Sequence, residues 1–174
     1  MHFRKILIVD DDEAIREICS EALIMTGYSV ERASNGLEAF ESLQSFNFDA
    51  VVSDIDMPLL DGISFYINAI NDFPYLRDRF LFISGAISRE KIALLTDFKR
   101  SYLRKPFKIS ELIEHIEKVI SNPLSTPGTD TLEKRRWTRY KWMAFCKIAE
   151  QGSTIEKEIA AKIRGVSRYG MEIV

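Results

Sequence analysis

The chain has 174 residues, 46% of them hydrophobic and 29% charged, which is ordinary for a soluble globular protein and enough for one full domain plus a fragment. Its two cysteines, Cys19 and Cys146, lie far apart without CxxC spacing, so neither a disulfide framework nor a zinc site is indicated and a reduced, cytoplasmic setting fits. The net charge of -2 hides an asymmetry: residues 1–122 hold 20 acidic and 14 basic residues, whereas 123–174 hold 6 and 10. A basic tail is compatible with an anionic ligand or with a solvated surface.

In chain order, the first apolar run, Ile6–Val9, is too short for a signal peptide or a membrane-spanning helix, and no later stretch is long enough to span. The next segment places Ile15, Ile18, Cys19, Ala22 and Leu23 on one helical stripe and stops near Gly27. A strand is expected near 29–33, a helix near 36–46, and a buried strand at Ala50–Val52. A helix near 63–71, a strand at Phe80–Ile83, a helix near 89–98 and a strand at Tyr102–Arg104 follow. The last helix repeats Leu112, Ile113, Ile116, Val119 and Ile120 at three and four, with Ser110 as its expected N-cap. Apolar strands alternating with amphipathic helices predict five β/α units in an α/β, doubly wound parallel sheet covered on both faces.

In such a sheet, loops at the carboxyl ends of neighbouring strands converge on one crevice. Asp10 and Asp11 follow the first strand, Asp54 ends the third, Ser84 ends the fourth, and Lys105-Pro106 follows the fifth. Taken singly, each has an ordinary reading. Asp10–Asp12 could complement a helix N-terminus, Asp54, Asp56 and Asp61 could form turns around Pro58 and Gly62, and Ser84 and Lys105 could be a strand-end hydroxyl and a surface lysine. Their joint placement at successive strand ends points instead to a site. Several carboxylates within a few ångströms repel unless a cation sits among them, and a hard oxygen cluster with room for water suits Mg2+.

ILIVDDDEAIR, DIDMPLLDG, Ser84-Gly85-Ala86 and YLRKPF, in this order and spacing, resemble the motifs of response-regulator receiver domains of two-component systems, over roughly residues 3 to 121. The resemblance implies a flavodoxin-like fold and a non-enzymatic signalling protein, phosphorylated on Asp54 by a histidine kinase or phosphotransfer protein. It further implies that Asp10 and Asp11 are the acidic pair, that Asp11, Asp54 and the backbone carbonyl of Asp56 ligate Mg2+, and that Asp12 caps a helix. Ser84 takes the place of the switch hydroxyl and Tyr102 that of the aromatic that rotates inward behind it. Lys105 would contact phosphoryl oxygens, and its bond to Pro106 is expected to be cis. Where receivers commonly carry a Gly-Ala turn before Tyr102, this chain has Asp97-Phe98-Lys99-Arg100-Ser101, so the surface around the fourth helix and fifth strand is expected to differ.

The receiver is expected to end at 121. NPLSTPGTDT, beginning at Asn122, marks a linker over 122–132, and a further segment occupies 133–174. There, Trp142–Ala149 reads as extended, and Ile155–Arg164 as either extended or helical. Lys134, Arg135, Arg136, Arg139, Lys141 and Lys147 interleave with Trp137, Tyr140 and Trp142, a pattern that suggests nucleotide or nucleic-acid contact. The RxxxR of Arg135 and Arg139, with the GxSxxG of Gly165 to Gly170, resembles the start of a PilZ domain. That family binds cyclic di-GMP, and the resemblance would make Arg135, Arg136, Arg139, Ser167 and Gly170 its contacts. Gly165 stands where the motif has Asp or Asn, and the roughly 40 residues after the linker are too few to close the barrel, so either the chain is cut short or another copy, as in a homodimer, or a partner is expected to complete the sheet. The alternative is a basic segment for protein or nucleic-acid interaction without a second messenger. No helix-turn-helix pattern follows the linker, so a DNA-binding domain is not expected.

Overall fold

A computed structural model describes residues 4–85, 95–96 and 100–121. Five parallel strands, β1 (Lys5–Val9), β2 (Ser29–Ala33), β3 (Ala50–Asp54), β4 (Phe80–Ser84) and β5 (Ser101–Arg104), form one sheet in the order β2-β1-β3-β4-β5. This is the flavodoxin-like arrangement of the doubly wound fold, with β3 at the centre. Four long α-helices are described, α1 (Glu13–Met25), α2 (Gly36–Ser45), α3 (Gly62–Asp72) and α4 (Ile109–Ser121), with a short 3-10 helix at Pro74–Leu76. Helices α1 and α4 pack together, as do α2 and α3.

The sheet holds because its three inner strands are apolar on both faces. Ile6, Ile8, Ala50, Val52, Leu81 and Ile83 face a cluster with Cys19 and Leu23 of α1 and Leu112, Ile116 and Val119 of α4. The expected stripe on the last helix is the one that buries, whereas on the first helix only Cys19 and Leu23 of the expected stripe are buried, Ile15 and Ala22 are half-buried, and Ile18 is 53% exposed. On α3 and β4, Phe65, Tyr66, Phe80 and Phe82 form an aromatic cluster, with the Tyr66 ring edge-on to Phe80 at 4.8 Å between centroids. The outer strand β5 buries Leu103 alone.

Helix boundaries follow from local chemistry. Asp12 caps α1, its side chain accepting from the N–H groups of Ala14 and Ile15, as expected. The helix stops where Gly27, at φ +91°, turns the chain so that the Tyr28 N–H reaches the Leu23 carbonyl at 3.1 Å. Asn35 and Asp61 cap α2 and α3 in the same way as Asp12. Ser110 is not the cap of the last helix, which starts one residue earlier at Ile109. Glu111 in its first turn accepts from the Lys108 N–H at 3.1 Å instead, supplying the backward half of a capping box.

The helix expected near 89–98 falls mostly outside the described residues, although Leu95 and Thr96 within it are helical. The linker over 122–132 and the two segments expected beyond it lie outside the described residues. Among the described residues, no helix is long and apolar enough to cross a membrane.

Candidate functional site

The carboxyl ends of β1, β3 and β5 bring together Asp10, Asp54 and Lys105. The Lys105 ammonium lies 2.6 Å from Asp10 Oδ2 and 2.8 Å from Asp54 Oδ1, bridging the two carboxylates. Both acids are buried, at 0% and 4% exposure, because they sit where the inner strands leave the core. The peptide bond joining Lys105 to Pro106 is cis, as expected. The Lys105 N–H donates to the Ser84 carbonyl at 2.8 Å, tying the fifth strand end to the fourth.

Main-chain groups complete the setting. The Asp56 N–H donates to Asp54 Oδ2 at 2.7 Å, so both Asp54 oxygens are engaged. The Asp12 N–H donates to Asp10 Oδ1 at 3.0 Å. The Arg16 guanidinium donates to the Asp10 carbonyl at 2.6 Å and holds the β1 to α1 turn from one helical turn beyond it. Ser84, 1% exposed, donates through Oγ to Asp56 Oδ2 at 3.1 Å. Helix α3 begins so close to β3 that a Cβ at Gly62 would lie 2.0 Å from the Asp54 carbonyl oxygen, which explains the glycine.

Electrostatically the site is acid-rich. Burial pushes the Asp10 carboxyl up from its ordinary value, against the pull of Lys105 and the Asp12 N–H, and the Asp54 charge adds to the rise. Burial alone would pull the Lys105 ammonium down, but its hydrogen bonds to Asp10 and Asp54 prevail and hold it above the usual lysine value. One ammonium thus faces two buried carboxylates, with Asp11 and Asp56 exposed at the rim. A hard divalent cation fits this set of oxygens and this excess of negative charge.

The expected convergence of several carboxylates takes a different form. Among the described residues, no three acidic, histidine or cysteine side chains stand together as a ready cation site. The ammonium already neutralises part of the pair, and Asp11 stays in solvent. Tyr102, expected near the site, is 40% exposed on the outer strand β5. Arg16 and the Asp56 side chain were not anticipated. Arg16 lies four residues after the N-cap Asp12, a spacing that places it on the helical turn nearest the strand end. Nearby Cys19 is buried, and its thiol is pushed up to about 11 by burial, with the Asp10 charge adding to the rise.

The family model for the response regulator receiver domain matches residues 6–117. This chain belongs to the receiver domain family. The response regulator MprA of Mycobacterium sp. strain KMS is 35% identical over 130 residues, covering 73% of this chain and 55% of that protein. MprA of Mycobacterium tuberculosis strain H37Rv is 34% identical over 134 residues, covering 75% and 56%. The chain therefore spans little more than half the length of these relatives. Among solved structures, the chemotaxis protein CheY4 of Vibrio cholerae is 31% identical with a TM-score of 0.63, covering 68% of this chain and 99% of that one. The response regulator TrrA of Thermotoga maritima, solved in complex with Mg2+-BeF, is 31% identical with a TM-score of 0.60, covering 67% and 99%.

Receiver domains are phosphoacceptors and signalling proteins, and a receiver implies a histidine kinase or phosphotransfer protein as its partner. Arg135, Arg136, Arg139, Ser167 and Gly170 lie outside the described residues. The family match ends before them, so the PilZ resemblance and cyclic di-GMP rest on the sequence motifs alone.

Proposed function

We propose that this receiver accepts a phosphoryl group on Asp54, in an Mg2+-dependent transfer from a histidine kinase or phosphotransfer protein. The observation that carries the proposal is the position of Asp54: a buried carboxylate at the end of the central strand, with Lys105 on one oxygen and the Asp56 N–H on the other. An Asp54 oxygen attacks phosphorus, an acyl phosphate bond forms, and the bond from phosphorus to the donor nitrogen breaks. Hydrolysis of the acyl phosphate later returns the carboxylate.

Asp11, Asp54 and the Asp56 carbonyl would hold Mg2+, with Asp10 beside them. When bound, the cation neutralises charge as the phosphoryl oxygens approach. The Lys105 ammonium passes from the carboxylates to the phosphoryl oxygens, a second positive contact at the same place. The Ser84 hydroxyl then turns onto the phosphoryl group, and Tyr102 moves inward behind it.

The test is to treat the intact chain with a small phosphodonor and Mg2+ and to measure intact mass. The parent should gain one phosphoryl group, and both chelation of Mg2+ and Asp54→Asn should abolish the gain. Stable labelling of Asp54→Asn at the parent's rate would remove the proposal.

A further inference from the structure

Asp56 stands between Asp54 and Ser84 and serves them with different groups. Its main-chain N–H donates to Asp54 Oδ2 at 2.7 Å, whereas its carboxylate accepts the Ser84 hydroxyl at 3.1 Å. Ser84 is 1% exposed, so a water molecule cannot readily take over this bond. A serine hydroxyl carries one proton and makes one strong donor bond at a time. It cannot donate to the Asp56 carboxylate and to a phosphoryl oxygen on Asp54 together. The phosphoryl group also brings about 1.5 to 2 negative charges close to the Asp56 carboxylate, which repels them.

We infer that the Asp56 side chain is a latch on the Ser84 hydroxyl, holding it in the resting arrangement so that switching requires this bond to break. The inference rests on the proposed roles of Asp54 and Ser84. Asp56 is a positioning residue here, acting through Ser84 rather than on phosphorus. Shortening its side chain leaves the main-chain N–H on Asp54 in place, so the latch can be tested apart from that contact.

Two measurements on the intact chain test it. The first is a titration with beryllofluoride at saturating Mg2+, followed by the NMR shift of the Gly85 amide, for the parent, Asp56→Ala, Ser84→Ala and the double variant. Asp56→Ala should tighten the apparent affinity by about two- to tenfold more with Ser84 present than with Ser84→Ala, the range for one hydrogen bond. Asp56→Asn, which keeps an acceptor oxygen without its charge, should fall between Asp56→Ala and the parent. An equal gain in both backgrounds would reduce Asp56 to simple charge repulsion, and no gain in either would leave it without influence. Both outcomes overturn the latch.

The second measurement needs neither phosphate nor metal. In the ligand-free parent, Hα–Hβ couplings of Ser84 should report one side-chain rotamer, and in Asp56→Ala they should average. A single rotamer in both chains overturns the latch. If the parent does not take beryllofluoride, or takes it equally as Asp54→Asn, the Asp54 proposal fails and the latch with it, while the couplings still decide whether Asp56 holds the Ser84 hydroxyl at rest.

Discussion

The two ends of the central sheet carry the same kinds of residue and put them to different use. At the amino end, Lys5 pairs with Glu31 at 3.2 Å and lies 3.3 Å over the Phe46 ring, and Arg79 pairs with Asp49 at 3.7 Å. At the carboxyl end, Lys105 sits between two buried acids. The side chains of Lys5 and Lys105 are equally exposed, at 22%, but Glu31 is 39% exposed, whereas Asp10 is fully covered. Water shares the charge of the first acid and cannot share that of the second. The amino-end pairs therefore contribute little, whereas the covered acids at the carboxyl end depend on the ammonium that bridges them.

The largest difference is expected on removing each lysine. Lys105→Ala leaves two buried carboxylates without their ammonium and should cost about 3–5 kcal/mol in the absence of metal, the scale for breaking a buried pair. Mg2+ should then raise the Tm of Lys105→Ala more than that of the parent, because the dication replaces the missing charge. Lys5→Met, which keeps the stem over Phe46, should cost about 1 kcal/mol or less, the range for an exposed ion pair with a cation-aromatic contact. Chemical denaturation of both variants measures the contrast, and equal losses would break it.

A second contrast concerns shape. Gly62→Ala drives a methyl against the Asp54 main chain and should destabilise by about 2–3 kcal/mol, as overpacking does. At Gly36 the new atom would lie 2.7 Å from the Leu60 carbonyl, in place of 2.0 Å from that of Asp54 at Gly62. Gly36→Ala should cost about 1 kcal/mol, at the lower end of the same range. Thermal unfolding orders the two, and the reverse order would mean that β3 yields more easily than its burial implies.

The smallest effects sharpen the assignment within the acidic run. Asp12→Ala should cost about 1 kcal/mol, the value of an N-cap, with little change in Mg2+ affinity. Asp11→Asn should leave stability nearly unchanged and weaken Mg2+ binding by roughly tenfold or more through loss of an oxygen ligand. Mg2+ titrations of the two variants decide; equal losses would mean that the roles of Asp11 and Asp12 are misassigned.

Much of this was legible without coordinates. Ile6–Val9, Ala50–Val52 and Phe80–Ile83 are apolar without alternation because both faces of the inner strands are covered, and that pattern is local. Asp12 was legible as a cap because a cap needs only the chain three residues ahead. Ser110 misled for the converse reason: Lys108 and Glu111 begin the last helix by a side-chain bond that a single preferred residue type does not reveal.

The sequence by itself determined the parallel α/β plan and the placement of Asp10, Asp54, Ser84 and Lys105 at successive strand ends, since periodicity and strand length suffice for both. Tertiary structure alone decided that Lys105 bridges Asp10 across 95 positions in the chain, that Arg16 grips the Asp10 carbonyl, and that Ser84 rests on Asp56 across 28 positions. Hydrophobic burial is indifferent to direction and can be read as a pattern, whereas a hydrogen bond depends on ångström-scale placement that exists only once the strands have packed.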